Sequence, residues 1–273
     1  MVKASQRTLY MCDIDLHRQL GVEYKPLENT TLNEKFNVLQ SEEVPNGYPV
    51  ITGFVIGIGG IPMIEGTTNY VLNEHSPIDG ALFEHVPFIM RPLEADLSDS
   101  ERENYRLRVI ETINNRQYVS YYMKVANSFV INNNFYTIKT VYDGTSVSSP
   151  SLTVFDNNVE TILNPVPRSR RLDYKYSKGC EYISKLCKLN FILTSLEQEE
   201  IKNALAIKNK ESRSLTELGV CTGVTKDCDY GKESMITQVA YHVPINFELA
   251  VELTKGRDMV KAIELGGLEP LIY

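Results

Sequence analysis

The chain contains no tryptophan, only four histidines and five cysteines, and no apolar run close to membrane-spanning length. Each scarcity removes a class of function. A helical span needs about 20 consecutive apolar residues, so membrane insertion is not expected. Cys12, Cys180, Cys187, Cys221 and Cys228 are an odd set in a long chain and read as reduced thiols rather than a disulfide framework. Cys180 to Cys187 and Cys221 to Cys228 each enclose six residues, wider than the usual spacing of zinc ligands, so both pairs read as small buried hydrophobes. His17, His75, His85 and His242 lie far apart in sequence and supply no His-x-x-x-His pair. Neither a metal nor another cofactor is expected.

Positive charge is also in short supply. With 28 Lys and Arg against 35 Asp and Glu, the net charge is -7, which argues against a free-standing nucleic-acid binder. The local exception, Arg168-Ser169-Arg170-Arg171, follows Pro165 and Pro167 and reads as a solvated linker. The amino end, Met1 to Arg7, lacks the apolar core of a secretory signal, which predicts a soluble chain made in the cytoplasm.

What is present is β-rich. At 42% apolar residues, the chain can bury a full core as one large domain or two smaller ones. Residues 1–47 are polar and weakly periodic and read as an extended arm. Alternating and β-branched runs predict strands at 50–57, 85–91, 105–113, 117–127, 135–142 and 151–155, which sets a β-rich domain at 48–155. Asn114-Asn115 predicts a tight hairpin turn between 106–111 and 118–124, and Asn132 to Asn134 a second hairpin. Residues 156–180 read as a linker. The remainder, 181–273, reads as an α+β region with the option of packing on the same core. It holds a strand at 189–193, a helix from Ser195 capped through Gln198 with a Leu196, Ile201, Leu205 stripe, strands at 215–222, 235–243 and 247–254, and a glycine-rich close at 264–270. The fold class expected is mainly β with a few helices, an α+β chain around an antiparallel β-sandwich-like core.

Candidate chemistry is sparse. Gly57-Ile58-Gly59-Gly60 follows an apolar strand but runs into Ile61-Pro62, with neither the Gly-Lys-Ser/Thr of a phosphate loop nor a helix start. Its glycines serve either a turn with positive φ or a close approach to another chain. His85 has Glu84 beside it but no nucleophile to activate, and Ser98 with Glu101 reads as a capping box. Glu94 and Asp96 resemble a glycosidase pair only as far as any acidic chain does. Tyr118, Tyr121 and Tyr122 crowd one strand, which suits core packing or an assembly interface better than a sugar platform.

Several segments together resemble a virion structural protein of tailed bacteriophages. They are Phe54 to Gly60, Asp79 to Leu97, Tyr105 to Arg108, Tyr118 to Lys124 and Leu215 to Cys221. The first and last are similar to motifs of tail-collar fibre attachment domains, in which a strand ending in a glycine-rich turn is matched with a later Glu-hydrophobic-Gly-hydrophobic strand. The resemblance implies a noncatalytic subunit of the tail, baseplate or fibre-attachment region, whose partners are copies of itself and other virion proteins. Under it, the contact candidates are Phe54, Gly57, Gly59 and Gly60 in the first motif, His85, Phe88 and Arg91 in the second, and Tyr122. Read as plain structure, the same residues are internal turns and core strands. The other expectations are a head decoration, neck or collar protein, an envelope-glycan hydrolase using Glu94, Asp96 or His85, and a carbohydrate-binding module.

Overall fold

The computed structural model describes residues 5–41, 48–62, 69–126, 128–131, 134–137, 141–142, 151–155, 182–210, 214–243, 251–253 and 257–270. The chain opens with β1 (Gln6–Arg7), α1 (Leu9–Leu20) and α2 (Leu32–Phe36). Thr8 starts α1 by accepting the Met11 N–H, and Gly21, in the left-handed region at φ 66°, ends it. Thr31 and Glu34 form a reciprocal capping box on α2, and Asn37 closes that helix in the left-handed region.

β2 (Val50–Gly57), β3 (His85–Val86) and β4 (Ile89–Pro92) follow, then α3 (Asp99–Arg102). Ahead of α3 the Glu101 carboxylate accepts the Ser98 N–H at 2.9 Å and its hydroxyl at 2.6 Å, as the sequence predicts. β5 (Tyr105–Ile113) and β6 (Arg116–Val125) form the first expected hairpin. Asn114 and Asn115 both have positive φ, 51° and 61°, which matches the turn to the twist of the strands. β7 (Ser128–Ile131) and β8 (Asn134–Thr137) form the second hairpin, and β9 (Val141–Tyr142) and β10 (Ser151–Phe155) come next.

After them come β11 (Tyr182–Leu193), α4 (Ser195–Ile207), β12 (Ser214–Leu215), β13 (Glu217–Cys228), β14 (Gly231–Val243), β15 (Val251–Glu252) and β16 (Met259–Pro270). The cap of α4 is Thr194 with Glu197, one residue earlier than the sequence suggests. Leu196 is 78% exposed while Ile201 and Leu205 are buried, because Leu196 lies on the far side of the helix from them. Residues 264–270, expected as a glycine-rich close, belong to β16 and stay in antiparallel register with β11 as far as Tyr182↔Pro270.

The fold is mainly β and mostly antiparallel, with four α-helices among the described residues. One sheet runs β1-β14-β13-β2-β6-β4, with β3 beside β2, β5 beside β6 and β9 parallel to β13. A second runs β10-β8-β7-β11-β16, and β12 pairs with β15. The sheets meet in a sandwich-like core where Phe54 and Tyr121 of the first, Phe191 and Ile263 of the second, and Ile201 and Leu205 of α4 share one apolar cluster. β13 and β14 therefore complete a sheet begun by β2, although residues 156–180 separate them in sequence. That linker, with its basic cluster, lies outside the described residues.

Residues 6–41 are not an extended arm. Gln6 and Arg7 pair with His242 and Tyr241 on β14, α1 buries Met11 and Ile14, and Tyr24 donates to Gln238 at 2.6 Å. Asn33 donates from Nδ2 to the Ser234 carbonyl at 2.6 Å. Polar residues that look unstructured in sequence are therefore anchors that cover the outer edge of β14.

Candidate functional site

The antiparallel register of β2 and β13 sets Gly57 opposite Glu217, and β3 sets His85 on the other side of Gly57. The Glu217 side chain is 1% exposed, so its carboxylate needs partners, and it has four. Oε1 accepts the Phe83 N–H at 2.7 Å and faces His75 Nε2 at 2.9 Å. Oε2 accepts the Gly59 N–H at 2.6 Å and the Glu84 N–H at 3.1 Å. Around it, Gly60 N–H donates to Thr216 Oγ1, Thr216 N–H to the Gly57 carbonyl, and Ile58 N–H to the Glu84 carbonyl. One buried carboxylate thus ties the glycine turn to the 82–86 segment.

This geometry explains the glycines. None of Gly57, Gly59 and Gly60 has a positive φ; what they need is room. A Cβ on Gly57 would overlap the Glu84 carbonyl oxygen and lie 2.6 Å from Glu217 Oε2, and one on Gly59 would lie 2.7 Å from the Phe83 Cβ. The close approach anticipated for another chain is made by strands of the same chain. Gly57→Ala is expected to cost about 2–3 kcal/mol through overpacking, read as a lower urea midpoint with an unchanged m-value.

Three of the four histidines converge here. His75 is stacked between Phe83 (4.1 Å) and His242 (3.9 Å). His242 Nε2 faces the Asp79 carbonyl at 2.8 Å, so it carries the proton. His85 Nε2 accepts the Leu82 N–H at 3.0 Å, which places the proton of the neutral ring on Nδ1. Burial lowers His242 to about 4 and His85 to about 3, with neighbouring charges making smaller contributions. No spacing rule links positions 75, 85 and 242. The usable signal was Glu217, the acidic residue that opens the apolar run Leu218 to Cys221 of β13.

A cleft of about 620 Å³ that shares no lining residue with this junction is bounded by Phe54, Arg91, Tyr105, Lys124 and Glu197 among others. Lys124 Nζ lies 2.6 Å from Glu197, whose carboxylate also accepts the Tyr105 hydroxyl at 2.6 Å. Burial alone would raise Glu197, but Lys124 and Tyr105 outweigh it and hold the carboxyl below its ordinary value. Arg91 donates from Nε and Nη2 to Glu200 at 3.1 and 2.7 Å. The lining of the cleft is more apolar than polar, and the cations Arg91 and Lys124 are neutralised in place.

The contact candidates separate by burial. Phe54, Phe88 and Tyr122 are 2%, 0% and 3% exposed, Gly57 and Gly60 are also buried, and His85 is half-buried. These apolar anchors fill the chain's own core, because β2 and β6, which carry Phe54 and Tyr122, are paired on both sides and Phe88 packs under the sheet between β3 and β4. Tyr122 stacks on Phe36 at 4.2 Å and donates to Glu111, which Lys208 also holds. Arg91 and Gly59 are only half-buried. The hydrolase residues go to different partners: Asp96 accepts from Tyr121, Arg102 and Arg108, and the exposed Glu94 from Arg116. Among the described residues, no group of three or more His, Cys, Asp or Glu side chains is arranged to hold a metal ion, and no helix is long and apolar enough to cross a membrane.

The model of a family of unknown function, DUF7208, matches residues 1–273. The chain belongs to that family. No curated protein and no solved structure matches it. Since the family match spans the whole chain, the Glu217 junction, the cleft and the helices on β14 all lie within the family's extent.

Proposed function

We propose that this DUF7208 chain is a noncatalytic structural subunit of a tailed-phage virion, in the tail, baseplate or fibre-attachment region. Its partners are copies of itself and other virion proteins. One observation carries the reading: the two motifs of the resemblance, the glycine-turn strand and the Glu-hydrophobic-Gly-hydrophobic strand, are hydrogen-bonded neighbours in register Glu217↔Gly57 to Val220↔Phe54. A junction in which one buried carboxylate gathers four partners from three segments suits a body that transmits shape rather than one that turns over a substrate. Immuno-electron microscopy of intact particles tests it, with label expected at the tail or its attachment ring. Label on the capsid faces would favour a head decoration protein, label at the neck a collar protein, and particles without label would overturn the proposal.

A second reading rests on the cleft. Asn104, Asn190 and Asn203 add amides to its charged lining, and such groups recognise hydroxyl-rich ligands. Binding on a glycan array, lost on Asn203→Ala, would favour a carbohydrate-binding module.

A further inference from the structure

α4 turns one face toward the cleft, and the residues on that face differ in kind along the helix. Leu196, Glu200 and Asn203 recur at spacings of four and three, with Glu199 beside Glu200, and all four line the cleft. Leu196 is exposed, and so is Ile192, another lining residue, which pairs with the exposed Val260 of β16. The rim therefore offers aliphatic surface. The aromatic lining does not, since Phe54 and Tyr105 are buried and the Tyr105 hydroxyl is bonded to Glu197. A sugar stacks on an open aromatic face, so this lining suits an aliphatic side chain better.

Charge selects further. Glu101, Glu197, Glu199 and Glu200 line the cleft against Arg91 and Lys124. Lys124 is held by Glu197 and the Ile192 carbonyl, and Arg91 by Glu200, so an anionic ligand meets no unneutralised cation. A cationic ligand meets Glu199 and Glu101, whose side chains are 45% and 49% exposed, with Lys202 at 3.1 Å from Glu199 and Arg91 at 3.8 Å from Glu101. Asn104, Asn190 and Asn203 are exposed on the same lining, and each amide carries the donor and acceptor that match a peptide group.

We propose that the cleft docks an extended segment of a partner protein, with an aliphatic side chain beside Leu196 and Ile192 and a Lys or Arg, two residues away, against Glu199 and Glu200. The spacing follows from the helix. Four residues of α4 rise about 6 Å between Leu196 and Glu200, and in an extended chain residues two apart are about 6.6 Å apart and point the same way. A cleft of about 620 Å³ has room for a short segment, not for a domain. The inference rests on the assembly reading above and names the kind of partner segment it would hold.

An array of octapeptides carrying one Leu and one Arg in a Gly-Ser background, at spacings of one to four, tests this with the purified chain. Binding should be strongest at a spacing of two and fall about tenfold when the Arg is replaced by Glu. Leu196→Ser and Glu199→Lys alter exposed side chains, so both variants should keep the circular dichroism spectrum of the parent while losing about five- to tenfold in affinity. Glu199→Lys should also improve binding of the Glu-bearing peptides. No bound peptide, equal binding at every spacing, or binding untouched by both variants would overturn the inference, and binding on a glycan array alone would overturn it in favour of a sugar site. Labelled particles with a blank peptide array overturn only this inference. Peptide binding with unlabelled particles overturns only the placement in the virion.

Discussion

Replacing Glu217 by alanine is expected to lower the unfolding free energy by about 4 kcal/mol, and replacement by glutamine to remove more than half as much. The reason is a count of donors. Three backbone N–H groups and His75 converge on a carboxylate that is 1% exposed, and no other acceptor replaces it when it goes. Glutamine keeps the shape but turns one acceptor into an NH2 group that faces donors, so the isosteric change is still costly. Urea denaturation measures both, with the exposed Glu94→Gln expected to stay within about 0.5 kcal/mol of the parent. A Glu217→Gln variant as stable as the parent would mean that the glycine turn is held by its own backbone pairing.

The second large effect is acid sensitivity. The ordinary histidine value is 6.5, and burial holds His85 at about 3 and His242 at about 4 in the folded chain. Both groups are depressed, so between these values and 6.5 the unfolded chain binds more protons than the folded one. The stability they contribute is complete above 6.5 and is lost as pH falls toward 4 and below. The combined loss by pH 4 is of order 3–6 kcal/mol. Asp96 and Glu197 act in the same direction, but only below the ordinary carboxylate range. Burial raises Glu233, so that residue acts in the opposite direction above about 4.5. Urea titrations at pH 7, 6, 5 and 4 should show the decline, and His85→Gln should flatten it. A His85→Gln variant whose stability falls as steeply as the parent's would assign the acid sensitivity to other groups.

Local signals in the sequence located much of the sheet. The bounds of β2 and β5 follow from runs of apolar and β-branched residues, and the β5–β6 hairpin from Asn114-Asn115, because turn and strand preferences are properties of a few consecutive residues. The helices on β14 were not legible in that way. α1 presents apolar residues on both faces, so its periodicity is blurred, and its start is tied down by Thr8 reaching the Val239 carbonyl 231 residues away. β5 hides a similar long-range device: Leu107 takes a positive φ of 54° and its N–H turns to the buried Glu233 carboxylate.

The sequence by itself determined the class of fold, the strands β2, β5 and β6, and that Gly57, Gly59 and Gly60 serve the backbone, whereas the expected strand 85–91 divides into β3 on β2 and β4 on β6. These follow from side-chain volume and backbone preference, which act between neighbours in the chain. Only the tertiary structure decided what the glycines approach, which histidines meet, and that Phe54, Phe88 and Tyr122 face inward. Those outcomes depend on strand register, and the register of β2 on β13 is set across 160 residues between Gly57 and Glu217 by a buried charge that must find its donors.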